Sequence, residues 1–309
     1  MIGIAIVGYG VVGSGVYEVV KQKKGIEVKA LLDIKDFPHH EEKHLFVDSF
    51  DKILANKDIK IVVESIGGLN PAYDYSKKAL EAGKYVITSN KELVAAHGKE
   101  LIGLAHAKGV KYFYEASVGG GIPIIRPLNQ CLSGEDVSEI CGIFNGTTNY
   151  ILTEMGKGGK TFENALADAQ AKGYAELDPT DDIEGFDTRR KVKILTQLVF
   201  GQDIPLKDIP ATGITKISLE DIRKAEADGC ALKLIGYAKK LECGRIECAV
   251  KPTAVPKSSP LYGVEGVFNG IMVKSHPVGE VMFYGRGAGK FPTASAVLAD
   301  ILEAAGAVS

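Results

Sequence analysis

The sequence predicts an α/β protein with two domains, and two observations support this prediction. Over the first 123 residues, apolar runs of strand length alternate with amphipathic helical patterns, the order expected of a parallel sheet with helical crossovers. Past Pro123 the composition changes, strands and helices follow in a less regular order, and the chain ends in one more helical pattern, Thr293 to Ala304. We therefore expect one domain over residues 1–123 and 287–309, completed by the returning last helix, and an α+β domain over residues 124–286.

Composition and charge exclude several classes of function. The 309 residues include 37 lysines and arginines against 39 aspartates and glutamates, so no basic field exists for nucleic acid or an anionic membrane. No apolar run reaches the ~20 residues of a bilayer span, and the apolar N-terminus lacks the charged start of a signal peptide. The five cysteines are scattered and odd in number, which indicates reduced residues in a cytoplasmic protein.

The first strand pattern leads directly into a glycine motif. Ile2 to Val7 is followed by GYGVVG at residues 8–13, then by a helical pattern, a second strand from Val28 to Leu32, and Asp33. A strand, G-x-G-x-x-G, a helix, a strand and an acid in this order are the complete context of the Rossmann fingerprint. The first 123 residues are therefore predicted to bind a dinucleotide.

Each residue of this motif has an expected role toward the dinucleotide. Gly8 permits the tight turn, Gly10 lets the backbone approach the pyrophosphate, and Gly13 lets helix and strand pack closely. The phosphates would then lie at the N-terminus of the first helix, beside Val11 and Val12. These five residues are predicted to bind NAD or NADP.

Three further residues are predicted at the cofactor. Asp33 should accept a hydrogen bond from the ribose 2′-hydroxyl, which favours NAD, although Lys35 could soften the repulsion of a 2′-phosphate. Ser65 lies at the end of the third strand, Ile59 to Ile66, and Lys91 opens the helix after the fourth. Ligands of open α/β sheets bind at the carboxyl ends of the strands, so both residues belong at the cofactor. A lysine in the first turn of a helix is also disfavoured by the helix dipole, which hints at a function.

Two segments raise the question of a metal ion. HHEEKH at residues 39–44 shows no recognisable metal spacing and is interpreted as a solvated loop. EASVGGGIP at residues 115–123 follows a fifth strand, Val110 to Tyr114. Its three consecutive glycines indicate a backbone crowded by a cofactor or an ion, or else a structural turn.

The richest chemistry lies at residues 173–191, GYAELDPTDDIEGFDTRRK, just before an apolar helical pattern. On a helix, Asp187 and Lys191 share a face, and Lys191 lies at the border of a buried stripe. A lysine there is easily desolvated, which would let it pass a proton. The alternative is a solvated acidic loop with a surface ion pair worth about 0.3–0.5 kcal/mol.

Taken together, these motifs resemble those of homoserine dehydrogenase. Five match in order: S-N-K at residues 89–91, E-A-x-V-G-x-G-I-P at 115–123, G-I-x-x-G-T-x-N-Y at 142–150, G-Y-A-E-x-D-P-x-x-D-x-x-G-x-D-x-x-R-K at 173–191 and G-x-G-A-G at 285–289. The resemblance covers essentially the whole chain. Members with a threonine-sensing regulatory domain continue further, so it also implies a short form without feedback inhibition through such a domain.

The resemblance implies roles for individual residues. Lys191 would be the proton donor and acceptor, Asp187 would bridge it to the substrate, and Lys91 would lie between nicotinamide and substrate. The implied substrate-binding residues are Glu176, which would bind the ammonium group, with Thr147, Tyr174 and Asp182. Gly146 and Gly289 would lie near the cofactor.

The resemblance also implies an ion and a partner. A monovalent cation, Na⁺ in the family, would be held by Glu115, Val118, Gly120 and Ile122. The hairpin Val267 to Ser275 and Glu280 to Tyr284 would contribute to a homodimer.

The implied reaction is reversible hydride transfer between L-homoserine and L-aspartate 4-semialdehyde, with NAD or NADP, in threonine and methionine biosynthesis. Aspartate-semialdehyde dehydrogenase is an alternative, but it needs a nucleophilic cysteine, and Cys131 and Cys141 lie in helix and strand patterns. A sugar oxidoreductase with its lysine in E-K-P fits poorly, because Lys91 stands in Asn90-Lys91-Glu92. A nucleotide-sensing module would not need the matched lysine and carboxylates.

Overall fold

The computed structural model describes residues 1–308 and divides the chain into two compact units. The first unit comprises Met1–Gly121 together with the residues from Ala288 onward, and the second comprises Ile122–Gly287. Each unit contains its own five-stranded sheet. Among the described residues, no helix combines the length and the hydrophobicity that a bilayer span requires.

The first unit is the predicted parallel sheet with helical crossovers. Its strands are β1 (Ile2–Val7), β2 (Ile26–Leu32), β3 (Ile59–Glu64), β4 (Tyr85–Thr88) and β5 (Tyr112–Phe113). Its helices are α1 (Val11–Val20), α2 (Phe50–Ala55), α3 (Ala72–Glu81), α4 (Lys91–Ala107) and the last helix, Lys290–Val308. The strands pair in the order β2-β1-β3-β4-β5, and every pair is parallel. The carboxyl ends of β1, β3 and β4 therefore lie along one edge, where this fold binds ligands.

The last helix packs against α1, which confirms that the chain returns to its first sheet. Val297 and Ile301 are fully buried in one core with Ile4 of β1 and Val16 of α1. Each such side chain contributes about 1.5–3 kcal/mol through its burial. A Cβ on Gly15 of α1 would lie only 3.3 Å from the Ala294 Cβ, so the absence of a side chain there lets the two helices approach closely.

The second unit is an antiparallel sheet with helices. Its strands are β6 (Asp136–Ile143), β7 (Cys230–Lys240), β8 (Ile246–Pro256), β9 (Phe268–His276) and β10 (Gly279–Arg286), paired in the order β10-β9-β6-β7-β8. Its helices are α5 (Gly146–Gly158), α6 (Phe162–Ala171), α7 (Thr180–Ile183), α8 (Phe186–Phe200) and α9 (Leu219–Ala227). Every strand pair is antiparallel, so the predicted α+β class is confirmed.

One glycine lets α8 lie close to this sheet. Gly236 is near the middle of β7, and a Cβ there would be 2.6 Å from Val192 Cγ2 and 2.8 Å from Thr188 Cγ2. Contacts this short would push α8 away from β7. The position of α8, and of the lysine it carries at residue 191, therefore depends on this glycine.

Two elements differ from the prediction. The residue pattern over Ile124 to Leu132 favours an α-helix, and the segment is helical but closes as a π-helix over Pro127–Cys131, in which the Leu132 N–H donates to the Pro127 oxygen at 2.8 Å. Pro127 is in the first turn of this segment, where its missing N–H removes no helical hydrogen bond. The fifth strand is also shorter than expected, with only Tyr112–Phe113 paired.

Candidate active site

The glycine turn between β1 and α1 has the geometry that a pyrophosphate site requires. Gly8 has a φ of +93°, and a Cβ there would lie 2.8 Å from the Ser65 backbone oxygen. A Cβ on Gly13 would lie 1.9 Å from the Gly8 oxygen, whereas a Cβ on Gly10 would meet nothing within 4 Å. The protein's own packing therefore requires Gly8 and Gly13, and the turn is open to a ligand at Gly10.

The first turn of α1 supplies backbone N–H groups beside Gly10. Val11 and Val12 are its first two residues, and the Val11 side chain is 68% exposed. N–H groups in the first turn of a helix have no intrahelical acceptor and suit a phosphate. Ser65 supports the turn from β3, since its hydroxyl donates to the Gly8 oxygen at 2.8 Å.

Asp33 lies directly after β2, beside the same turn. Its Oδ2 accepts a hydrogen bond from the Tyr9 backbone N–H at 2.5 Å, and its Oδ1 accepts one from the Lys35 N–H at 2.8 Å. A carboxylate oxygen can accept more than one hydrogen bond, so capacity for a ligand remains. The structure thus places a fixed acceptor next to the glycine turn, as the Rossmann fingerprint predicts.

The interpretation of residues 39–44 as a solvated loop is wrong for His40. His39 is exposed, but His40 packs on Tyr9 of the glycine turn, with the Tyr9 hydroxyl 2.8 Å from His40 Nε2. The Glu42 N–H donates to His40 Nδ1 at 3.1 Å, and Phe46 packs against both rings. Within residues 1–308, no cluster of three or more His, Cys, Asp or Glu side chains could hold a metal ion.

Sequence analysis missed a buried carboxylate, Glu64 at the end of β3. Its Oε1 accepts from the Ile66 N–H at 2.8 Å and its Oε2 from the Thr88 hydroxyl at 2.5 Å. Burial raises the pKa of Glu64, and these hydrogen bonds partly oppose the rise. Thr88 accepts from the Asn90 N–H at 2.9 Å, and Asn90 caps α4, whose first residue is Lys91. A single acid ending the apolar strand IKIVVE was the signal that could have identified it.

In the second unit, α8 carries a buried ion pair. Lys191 is 7% exposed and Asp187 is 1% exposed. The Lys191 ammonium donates to Asp187 Oδ2 at 2.7 Å and to the Phe144 backbone oxygen at 2.8 Å. The alternative of a surface ion pair on a solvated loop is therefore wrong, because one turn of helix sets these two charges inside the protein.

Asn145, which sequence analysis did not single out, joins this pair to a further acid. Its Nδ2 donates to Asp187 Oδ2 at 2.9 Å and to Asp182 Oδ1 at 2.6 Å. Asp182 lies on α7 and is partly buried. Asp182, Asp187 and Lys191, all predicted at one site, are therefore brought together by this amide.

The loop between α6 and α7 carries the remaining predicted substrate residues. The Thr147 hydroxyl donates to the Tyr174 backbone oxygen at 2.7 Å, so it anchors the start of the loop. The Tyr174 side chain is 42% exposed, and its ring packs edge-on against Tyr150 at 5.1 Å. Glu176 is exposed, and its backbone oxygen accepts from Gln170 Nε2 at 3.0 Å.

Gly146 and Gly289, both predicted near the cofactor, lie in different units. A Cβ on Gly146 would be 2.7 Å from the Val267 backbone oxygen, so packing within the second unit already requires a glycine. Gly289 has a φ of +127°, and its oxygen accepts from the Thr293 N–H at 3.0 Å at the start of the last helix.

The segment predicted to hold a cation contains a buried carboxylate. Glu115 is 3% exposed and starts a short 3-10 turn, Glu115–Ser117. Its backbone N–H donates to Asp300 Oδ2 at 3.1 Å, and Asp300 is 2% exposed. Val118 is fully buried, and Gly120 has a φ of +53°. Ile122 begins the second unit.

Of the two cysteines considered for a cysteine-dependent enzyme, Cys141 is poorly suited to act as a nucleophile. Burial raises the pKa of the Cys141 thiol to about 12, so the reactive thiolate is scarce at neutral pH. Cys131 is exposed on the π-helical turn. This supports the case against an enzyme that acts through a cysteine.

Comparison with known proteins identifies the family to which the chain is similar. Residues 8–115 match the family described as "Homoserine dehydrogenase, NAD binding domain", and residues 123–302 match "Homoserine dehydrogenase". The homoserine dehydrogenase of Lactococcus lactis is 40% identical over 316 residues, which cover 97% of this chain and 73% of that protein.

Two solved structures are similar over almost the whole chain. A homoserine dehydrogenase from Thiobacillus denitrificans superposes with a TM-score of 0.93 at 38% identity, covering 98% of this chain and 73% of that one. A hyperthermophilic archaeal homoserine dehydrogenase, solved with NADPH, gives a TM-score of 0.82 at 30% identity and covers 98% and 97%. With both family matches and this similarity, the chain belongs to the homoserine dehydrogenase family.

Proposed function

We propose that this protein catalyses reversible hydride transfer between L-homoserine and L-aspartate 4-semialdehyde with NAD or NADP. The observation that carries the proposal is the buried pair of Lys191 and Asp187, held at 2.7 Å. Structural ion pairs are common, but this one lies in the segment that matches the family motif. A buried amine with a fixed carboxylate partner is suited to moving a proton at a hydroxyl or carbonyl oxygen.

The chemistry divides between the cofactor and the chain. When bound, NAD or NADP accepts or supplies the hydride. In the oxidation of homoserine, the neutral amine form of Lys191 takes the hydroxyl proton while the hydride leaves the carbon. In the reverse direction the Lys191 ammonium returns the proton to the aldehyde oxygen. Asp187 and the Phe144 oxygen, each less than 3 Å from the Lys191 nitrogen, fix its direction. Positioned acid–base catalysis of this kind contributes about 10²–10⁴ in rate.

The remaining residues bind and polarise the substrate. The exposed Glu176 carboxylate binds the ammonium group of the amino acid through a charge-assisted hydrogen bond. Asp182 and Tyr174 line the same site, and Thr147 holds the Tyr174 backbone in place. Lys91, at the first turn of α4, polarises the carbonyl oxygen. Binding of both charged ends of a small substrate supplies its orientation.

A turnover assay tests this proposal. Purified protein is mixed with L-homoserine and NAD or NADP, and the absorbance of the reduced cofactor is followed. We expect turnover by the wild type and a loss of at least about 10²-fold in kcat for Lys191→Ala. An inactive wild type would refute the substrate assignment, and a fully active Lys191→Ala would refute the mechanism.

We also propose a modest preference for NAD over NADP. Asp33 is held by two backbone N–H groups at 2.5 and 2.8 Å, so it cannot easily swing away from a 2′-phosphate. The archaeal relative was solved with NADPH, so the family does not itself decide the preference. Asp33→Ala should improve the kcat/KM ratio of NADP to NAD by about tenfold, since like-charge repulsion at a ligand is worth at least 1 kcal/mol. An unchanged ratio would exclude Asp33 as the selector.

A monovalent cation is proposed at residues 115–122. The buried Glu115 carboxylate and the backbone carbonyls of Val118, Gly120 and Ile122 are oxygen donors, which suit a hard cation. The ion would neutralise a buried charge and join the segment's carbonyls. Replacing Na⁺ with a bulky ammonium ion should lower the melting temperature of the wild type but not of Glu115→Gln. Equal melting in both salts would contradict the proposal.

The second unit is proposed to form a homodimer through one face of its sheet. In register, Cys141 pairs with Tyr237 of β7 and Met272 of β9, and Met272 pairs with Met282 of β10, so these side chains share a face. Helix α8 covers the opposite face at Gly236. The face continues to Tyr284, which is 55% exposed. A broad, partly exposed apolar face marks a protein interface. Sedimentation should give a dimer for the wild type and monomer for Met282→Glu.

A cytoplasmic location is proposed from the cysteines. All five are unpaired in the structure, with Cys131 and Cys243 exposed. Exposed free thiols persist in a reducing compartment. Titration of the purified protein with a thiol reagent under denaturing conditions should count five free thiols.

A further inference from the structure

Asn145 occupies a junction that the proposed reaction does not yet explain. It lies between β6 and α5 and is 6% exposed. Its single carboxamide contacts the N-terminus of α5, the acid–base pair on α8 and the acid on α7. Those partners stand 3, 42 and 37 residues away in the chain. The Asn145 side chain therefore contacts three elements, α5, α7 and α8.

We propose that Asn145 is a positioning residue for the reaction, orienting Asp187 toward Lys191 and keeping Asp182 beside them. The proposal rests on the proposed function and deepens it. It assigns to Asn145 a role in the rate and the pH dependence of catalysis in addition to the capping of a helix.

The hydrogen bonds determine which way the carboxamide points. The Asn145 oxygen accepts from the Thr148 N–H at 2.9 Å and from the Thr148 hydroxyl at 3.1 Å. The amide nitrogen then donates one proton to Asp187 and the other to Asp182, at 2.9 and 2.6 Å. The opposite orientation would set the oxygen against two carboxylates. The helix cap thus fixes the donors toward the site.

The two carboxylates explain why a donor is needed here. Asp187 Oδ2 is shared between the Lys191 ammonium and the Asn145 amide. Without the amide, that oxygen would bind the ammonium more strongly, and the repulsion between Asp187 and Asp182 would be less screened. The Lys191 ammonium would then interact with a more negative oxygen. The Asn145 amide therefore affects proton transfer by Lys191 through Asp187, without contacting Lys191 itself.

Other charged groups around the pair are already accounted for. Arg190, next to Lys191, pairs with Asp181 of α7 at 2.5 Å. The strands beneath α8 contribute Gly236 and Val250, which are uncharged. Beside Thr196 they also contribute Cys248, and burial raises the pKa of its thiol. Asp187 contacts Lys191 directly, and Asp182 is joined to Asp187 through the Asn145 amide.

Three substitutions separate positioning from capping. Asn145→Ser keeps a good helix cap and removes both donors to the carboxylates, whereas Asn145→Ala removes the cap as well. Asn145→Asp keeps the cap and adds a third carboxylate. A residue that serves only as a cap would tolerate serine and be damaged by alanine.

The experiment measures kcat, KM and the pH profile of homoserine oxidation, with thermal unfolding of each variant. For Asn145→Ser we expect a melting temperature close to that of the wild type and a kcat lower by about tenfold, as for a lost charge-assisted hydrogen bond. The pH of half-maximal kcat/KM should move upward, and further upward for Asn145→Asp. Wild-type kcat and an unmoved pH profile in Asn145→Ser would overturn the proposal.

A second measurement does not depend on the substrate. In a double-mutant cycle of Asn145→Ser with Lys191→Met, the shifts in melting temperature should be non-additive, because the two side chains share Asp187. Additive shifts would overturn the positioning role even if the wild type proved inactive with homoserine. Failure of the proposed function and failure of this inference are thus distinguishable.

Discussion

The substitution Lys191→Met removes the ammonium group and retains most of the side-chain volume. If Lys191 moves the proton, the variant should lose about 10²–10⁴ in kcat, the usual contribution of a positioned acid–base group. KM for homoserine should change little, because the proposed ammonium and cofactor sites do not include Lys191. The loss would appear equally in kcat and kcat/KM, as expected for an interaction made in the transition state.

The same substitution has a separate cost in stability. It leaves Asp187, which is 1% exposed, without its buried cation. Removal of one partner from a buried ion pair typically costs about 3–5 kcal/mol. The second substitution Asp187→Asn removes the remaining charge and keeps an acceptor for Asn145. The double variant should therefore regain most of the stability and none of the activity.

Denaturant unfolding and initial-rate kinetics on the four proteins of this cycle provide the test. Lys193→Met is a matched control, because Lys193 is also buried on α8 but pairs with Asp203, at 3.2 Å. It should lose stability and keep kcat within about threefold. The acid–base assignment would be refuted if Lys191→Met kept kcat within about tenfold of the wild type. The ion-pair account would be refuted if the double variant stayed as unstable as the single one.

Three further outcomes follow from the described contacts. Gly13→Ala places a Cβ 1.9 Å from a backbone oxygen and should lower both the melting temperature and the cofactor affinity. The Cβ of Gly10→Ala meets open space, so this variant should lower the cofactor affinity alone. Titration of cofactor fluorescence measures the affinities. Glu64→Gln replaces a carboxylate that accepts two hydrogen bonds with an amide whose NH₂ group can only donate. We therefore expect stability to fall by about 1–3 kcal/mol and cofactor binding to weaken. Unchanged melting temperature and binding would contradict this. Lys233 is 3% exposed, and burial lowers its pKa from 10.5 to about 8, so the folded state binds this proton less tightly than the unfolded chain. Its contribution to stability should therefore rise with pH between about 8 and 10.5, so the stability of the wild type relative to Lys233→Met should increase over that range. Parallel pH curves for the two proteins would contradict this.

The order of elements in the first unit could be predicted because local pattern and tertiary role coincide there. Each strand is a short apolar run, and the glycine turn repeats a motif whose spacing follows from backbone sterics. The acid–base pair could be found for the same reason, since Asp187 and Lys191 are one helical turn apart and share a face. The π-helical register at Pro127–Cys131 could not be predicted, because an apolar helical pattern does not report which carbonyl each N–H reaches.

The residues that hold the site together could not be predicted from local pattern. Asn145 reaches partners 37 and 42 residues away, and Glu64 reaches Thr88 on the next strand. No periodicity in the sequence reports on such distant partners. His40 illustrates the same limit. It stands in a polar segment typical of a solvated loop, yet its ring packs on Tyr9 of the glycine turn. Residue propensities describe the local structural preference of a segment, whereas these contacts form only in the completed fold.

The last helix, Lys290–Val308, has a consequence for how the chain is made. It supplies Val297 and Ile301 to a core whose other members, such as Ile4 and Val16, are translated first. During translation, the N-terminal sheet therefore keeps part of its apolar surface exposed until about 170 intervening residues have been synthesised. The second unit can complete its own sheet in that interval. Assembly should thus proceed from the middle of the chain outward, and a nascent chain arrested before residue 290 should bind chaperones more than the finished protein does.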